Sequence, residues 1–156
     1  MKRFILVLIS IFIFSCNKSS QQYLKNDDFE YAVLPFNQNE KYPLFANSTP
    51  TSLSHLEVME IEKIAGQKII ETIQAHNRRQ SKPDKYLRQY VAVVNENGEK
   101  EIWIQCFVSD FIAYDEDKNY WRKHILDFGD GGDSVFSLKV NLSKKIFYDF
   151  AIHLQA

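Results

Sequence analysis

Along this chain the rhythm of apolar and polar positions changes several times, and each change predicts an element. Phe4 to Phe14 is an eleven-residue stretch that is apolar except for Ser10. As a helix it extends about 16 Å, which is too short for a hydrocarbon core of about 30 Å. The next stretch, "NKSSQQYLKNDD" at 17–28, is polar and has no period, as expected of a flexible tether. "FEYAVLPF" then forms a short apolar run stopped by Pro35, which predicts an edge strand or an extended cover segment. Residues 37–52 hold Pro43 and Pro50 among Asn, Ser and Thr, and predict a loop.

A helical period follows. Ser54 and Glu57 have the spacing of a capping box, and Leu53 and Val58 that of the hydrophobic staple beside it. Ile61, Ile64, Ala65, Ile69 and Ile73 fall on one stripe, with Glu60, Glu62, Lys63, Lys68 and Glu71 largely off it. The spacing predicts a helix over 54–77, ending in "HNRRQSKPD".

After Pro83 the period falls to two. "YLRQYVAVV" and "EIWIQCFV" flank "NENGEK", and Asn97-Gly98 suits a two-residue hairpin turn in which both positions take positive φ. That turn sets Val93 opposite Ile102, Val91 opposite Ile104 and Gln89 opposite Cys106. One face is then Val, Ile and Cys. The other carries Tyr90, Ala92, Trp103, Gln105 and Phe107, with Arg88 and Glu101. Residues 109–122 are acidic and aromatic and give no assignable period. "HILDF" reads as a short strand leading into a tight turn at "GDGGD". "SVFSLKVNL" and "IFYDFAIHL" form a second hairpin around Ser143, Lys144 and Lys145. Phe136, Leu138 and Val140 share one face of it, as do Tyr148, Phe150, Ile152 and Leu154.

One long amphipathic helix followed by hairpins predicts the α+β class. The helix packs on an antiparallel sheet of about four strands whose other face is partly open. This element order is similar to that of cystatin-like and NTF2-like folds, an architectural likeness that implies no function.

The first apolar run changes meaning once its flanks are read. Lys2 and Arg3 precede it, and Ser15 and Cys16 follow it. A positive start, a short apolar segment and a small residue at its end are the features of a secretory signal peptide. The tail Ile13-Phe14-Ser15-Cys16 resembles the lipobox of bacterial lipoproteins. That resemblance implies diacylglycerol on the Cys16 sulfur and cleavage just before it, and two or more acyl chains give stable anchoring. The domain plan is then a signal peptide at 1–15, a tether at 16–28 and a single domain at 29–156. The expected location is the bacterial cell envelope, membrane-anchored, with the membrane as partner through the Cys16 lipid. "RQYVAVVNENGEKEIWIQCF", "DGGDSVFSLKVNL" and "FYDF", within roughly the last seventy residues, also look like a group of small uncharacterised bacterial lipoproteins. That likeness supplies no mechanism.

Lys2 and Arg3 leave with the leader, so 19 basic residues against 20 acidic become 17 against 20, a net charge of −3. No basic footprint for nucleic acid exists. Twelve Phe, eight Tyr and two Trp supply ample surface for one core. With Cys16 acylated, Cys106 is the lone remaining cysteine, and stability rests on packing rather than a disulfide.

Candidate chemistry is sparse. Cys106 would need a histidine base, and His55, His76, His124 and His153 form no recognised motif with it. Its register makes it a small core hydrophobe instead. Asp127, Asp130 and Asp133 among Gly129, Gly131 and Gly132 form an oxygen-rich loop without EF-hand spacing, and Asp-Gly pairs are also plain turn formers. No catalytic, cofactor-binding or metal-ligand pattern emerges. The candidate binding face is the set Tyr90, Trp103 and Phe107, which a covering segment would hide and an exposed sheet would offer to a protein or small ligand. A lipid-anchored binding or interaction module is therefore the leading expectation. The alternatives are a small hydrolase using Asp110, Asp127, Asp130 and His124 of the 109–133 region, and an inhibitor or immunity-type protein.

Overall fold

The computed structural model describes residues 22–25, 29–37, 44–78, 85–113, 117–129 and 131–153. The leader, Cys16, Asp130 and Leu154 lie outside them. Among the described residues one α-helix and seven strands form the α+β unit, a higher strand count than the pattern suggested. The strands are β1 (Gln22–Lys25), β2 (Glu30–Leu34), β3 (Thr49–Pro50), β4 (Tyr86–Val94), β5 (Lys100–Val108), β6 (Gly132–Asn141) and β7 (Ile146–His153). Helix α1 is His55–Asn77. The sheet order is β1-β2-β4-β5-β6-β7, and β3 pairs with the end of β4. All pairs are antiparallel except β2 with β4, which are parallel because α1 carries the chain back between them.

Helix α1 begins where the sequence places it. Ser54 is extended at φ −83° and its hydroxyl accepts the Glu57 amide, while the Ser54 amide donates to the Glu57 carboxylate at 2.8 Å. Such a cap contributes about 1 kcal/mol. Leu53 and Val58 are both buried in the same cluster. Ile61, Ala65 and Ile69 press onto the sheet at 1% exposure or less. Each fully buried isoleucine contributes roughly 1.5–3 kcal/mol. Against them stand Tyr90, Ala92, Ile102, Ile104, Cys106, Phe136, Leu138 and Val140.

The first hairpin closes differently from the expected two-residue turn. The Asn95 carbonyl accepts the Gly98 amide, and the Asn95 side-chain oxygen accepts the amides of Asn97 and Glu99. Among these residues Gly98 alone has positive φ, at 74°. The loop is thus a three-residue turn with glycine at the left-handed position. Its extra residue shifts the register by one, to Val93 opposite Glu101, Val91 opposite Trp103 and Gln89 opposite Gln105. A slip of one residue exchanges the faces of a whole strand. Tyr90 and Ala92 therefore lie under the helix, and Val91 and Val93 join Trp103 and Phe107 on the opposite side.

That opposite side is covered rather than partly open. Phe36, Phe45, Trp121, Ile125, Leu126 and Phe128 pack over it. "HILDF" supplies this cover as irregular chain, not as a strand. Two buried glutamines hold it down. Gln89 donates to the carbonyls of Trp121 and His124 and accepts the Leu126 amide, and Gln105 donates to the Leu126 carbonyl. Irregular chain forms no ladder, so its polar backbone must be satisfied this way or by water.

Three further segments differ from expectation for reasons of non-local pairing. "FEYAVLPF" is an inner strand between β1 and β4, and Thr49–Pro50 of the expected loop forms β3. Gln22–Lys25 of the expected tether pairs with β2 as β1. In β7, Asp149 takes φ 48° at a register shift. Tyr148 consequently stands opposite Lys139, while Ile152 stands opposite Phe136, so the two do not share a face.

Candidate functional site

At the end of the sheet where β2 and β4 begin, α1 and the segment after β5 do not meet. They leave a cleft of about 1150 Å³. Helix α1 gives it Met59, Glu62, Ile70 and Ile73 along one wall. The floor comes from Tyr86, Leu87 and Arg88 of β4, with Phe29 and Glu30 beside them. Ile112 of the 3₁₀ turn Ser109–Ile112, and Trp121 and Arg122 of the 3₁₀ turn Tyr120–Arg122, form the far wall.

Arg88 is the unusual member. It sits within the nearly all-buried strand β4 at 4% exposure, and its guanidinium donates to the Glu62 carboxylate. The Phe29 ring lies over the guanidinium, 3.8 Å from ring centre to Cζ. The Tyr90 hydroxyl donates to the same Glu62 oxygen at 3.3 Å. Burial opposes the charge on Arg88, yet its pKa ends above the usual arginine value because Tyr90, Cys106 and Glu62 stand beside it. Burial likewise pushes the Tyr90 phenol far above its usual range. The pair is thus a fixed charged post at the cleft floor. It offsets its own desolvation through the close carboxylate and the aromatic face.

The second pair is looser. Arg122 approaches Glu30 at 3.6 Å, and both side chains are about a third exposed. Both lining carboxylates are therefore matched to arginines. Among the described residues the lining holds no histidine or cysteine.

The residues named from sequence fall elsewhere. Tyr90, Trp103 and Phe107 do not form an exposed face. Tyr90 and Phe107 are 0% exposed and Trp103 is 8% exposed. The register shift moves Tyr90 to the helix side, and Trp121 and Phe128 cover Phe107 at ring separations of 6.0 and 5.2 Å. Cys106 lies fully buried under α1, and burial pushes its thiol up to about 12. Asp110 and Asp127 are exposed, and His124 is an exposed ring stacked on Tyr120 at 4.2 Å. None of the three lines the cleft. His124 borders a separate hollow of about 240 Å³ beside Pro35 and Lys123. Asp133 partners the buried His76 ring at 3.1 Å, which ties the end of α1 to β6. Among the described residues no three His, Cys, Asp or Glu side chains gather as a metal cluster.

Sequence reasoning missed Arg88 and Glu62. The signal for the first was a lone charge inside the apolar "YLRQYVAVV". Glu62 looked like a solvated helix charge, and only the crossing of α1 over β4 brings it to Arg88. Compared with known proteins, the chain matches no family model, no curated protein and no solved structure.

Proposed function

We propose that this chain is a lipid-anchored binding protein of the bacterial cell envelope, and that its ligand occupies the cleft between α1 and the start of β4. The observation that carries the binding part is the cleft itself. Its volume is about 1150 Å³, its exposed surface is more apolar than polar, and its two carboxylates are already paired with arginines. Small-ligand pockets span roughly 300–1,000 Å³ and have this makeup, apolar with a few fixed polar groups. The anchor rests on the residues around Cys16. On this reading Cys16 is followed by only five residues before β1 begins at Gln22, a contour of about 20 Å. Gln22 pairs with Val33, whereas the cleft begins at Phe29 and Glu30 toward the other end of β2.

Two experiments test the two parts. Metabolic labelling with a fatty-acid analogue should mark the wild-type chain and leave Cys16→Ala unmarked; equal labelling rejects the anchor. Every described element lies between Gln22 and His153, so a chain starting at Asn17 retains all of them. The neutral apolar fluorophore phenylnaphthylamine should brighten on binding to it, and Ile70→Glu should weaken that binding several-fold. Ile70 is 46% exposed on the cleft wall, so the substitution leaves the core intact. No brightening, or brightening unaffected by Ile70→Glu, rejects the cleft as the ligand site.

A further inference from the structure

We infer that the ligand of this cleft is an amphiphile: an apolar body carrying one anionic group, of the carboxylate or phosphate kind. The inference rests on the binding reading above and adds the ligand's chemical class. The lining carries four cations, Lys85, Arg88, Lys118 and Arg122, and two carboxylates, Glu30 and Glu62. Each carboxylate is matched to one arginine, Glu62 to Arg88 and Glu30 to Arg122. Lys85 and Lys118 remain. Both are exposed, and neither ammonium group has an ion pair or hydrogen bond among the described residues. Among the described residues the uncompensated charge of the cleft lining is therefore positive, whereas the mature chain is net negative.

The apolar part of the site is equally specific. Ile70 is 46% and Met59 39% exposed along the α1 wall, although α1 has a fully buried stripe elsewhere for its core. Ile112 lies partly buried across from them. A molecule running between these side chains removes their apolar surface from water, at roughly 25 cal/mol for each Å². Its charged end reaches the lysines at the rim and remains partly hydrated there. Lysine suits this task as a compact charge on a flexible stem, which meets a carboxylate or a phosphate equally well. A neutral apolar ligand leaves both lysines unused. A purely ionic ligand leaves the apolar walls wet.

The test uses the chain starting at Asn17 with phenylnaphthylamine as reporter, displaced by dodecanoate, dodecyl phosphate or the matched neutral dodecanol. Dodecanoate or dodecyl phosphate should displace the reporter about tenfold more strongly than dodecanol, as expected for one or two rim ion pairs. The stronger of the two anions identifies the head group. Raising the salt concentration should shrink the advantage, because exposed pairs are screened. In Lys85→Ala/Lys118→Ala the reporter should bind unchanged while the anionic advantage falls to about twofold or less. Equal displacement by the anions and dodecanol, or an advantage that survives the double substitution, overturns the ligand class and leaves the cleft reading standing. A reporter that never binds overturns both.

Discussion

Removing the carboxylate of Glu62 should cost far more than its position on a helix flank suggests. Arg88 is 4% exposed and the Glu62 side chain 19% exposed, so their charges meet mostly out of water. Two unit charges in contact attract by roughly 5–6 kcal/mol at an effective dielectric of about 20, against several kcal/mol of desolvation per ion. The net value of the pair is thus small. The cost of breaking it is large, because Glu62→Ala leaves the guanidinium buried beside the Phe29 ring, Tyr90 and Cys106 without its carboxylate. Loss of one partner of a fully buried pair costs about 3–5 kcal/mol. The residual exposure of Glu62 lowers the expectation to about 2–4 kcal/mol. Replacing both partners by apolar residues, in Glu62→Leu/Arg88→Met, should return stability to within about 1 kcal/mol of wild type. Urea unfolding followed by tryptophan fluorescence reads this directly, since Trp103 and Trp121 are both buried. A Glu62→Ala loss under 1 kcal/mol, or a double variant as unstable as the two singles combined, would refute the argument that Arg88 is a buried charge needing its partner.

Three other expectations follow from the same structure. Gln89→Leu should destabilise by about 3 kcal/mol and should expose the 121–128 segment to protease, because it removes the hydrogen bonds from Gln89 to two carbonyls and one amide; unchanged proteolysis would show that the glutamine does not hold the cover. Cys106, the sole cysteine of the chain starting at Asn17, should react with iodoacetamide only at the rate of unfolding, since burial pushes its thiol up to about 12; rapid alkylation of the native protein contradicts that burial. Burial raises the Glu57 pKa, but hydrogen bonds from Lys100 and Ser54 outweigh it and hold the pKa below the ordinary 4.5. The Glu57 contribution is therefore complete above about pH 4.5 and is lost as pH falls through the lower folded value. Glu57→Gln should flatten that part of the acid unfolding profile, and an unaltered profile would deny the cap its charge.

The sequence by itself determined the local elements. Ser54 and Glu57 start the helix, its Ile stripe orients it, and Ser143 to Lys145 mark the last hairpin. These signals depend on neighbours a few residues apart, so the chain displays them before it folds. The reading of Lys2, Arg3 and Cys16 as an export and acylation signal is a proposal that rests on residue order alone. Tertiary structure decided everything that depends on which strand lies beside which. Whether Asn97-Gly98 closes a two- or three-residue loop shifts β4 by one position, and that single residue decides whether Tyr90 faces the helix or the cover. The cover itself has no period, because its backbone is satisfied by Gln89 and Gln105, which lie 21 to 37 residues from the groups they hold. The cleft is of the same kind. Its walls come from α1, β2, β4 and the two 3₁₀ turns, and no local pattern records a space left between elements.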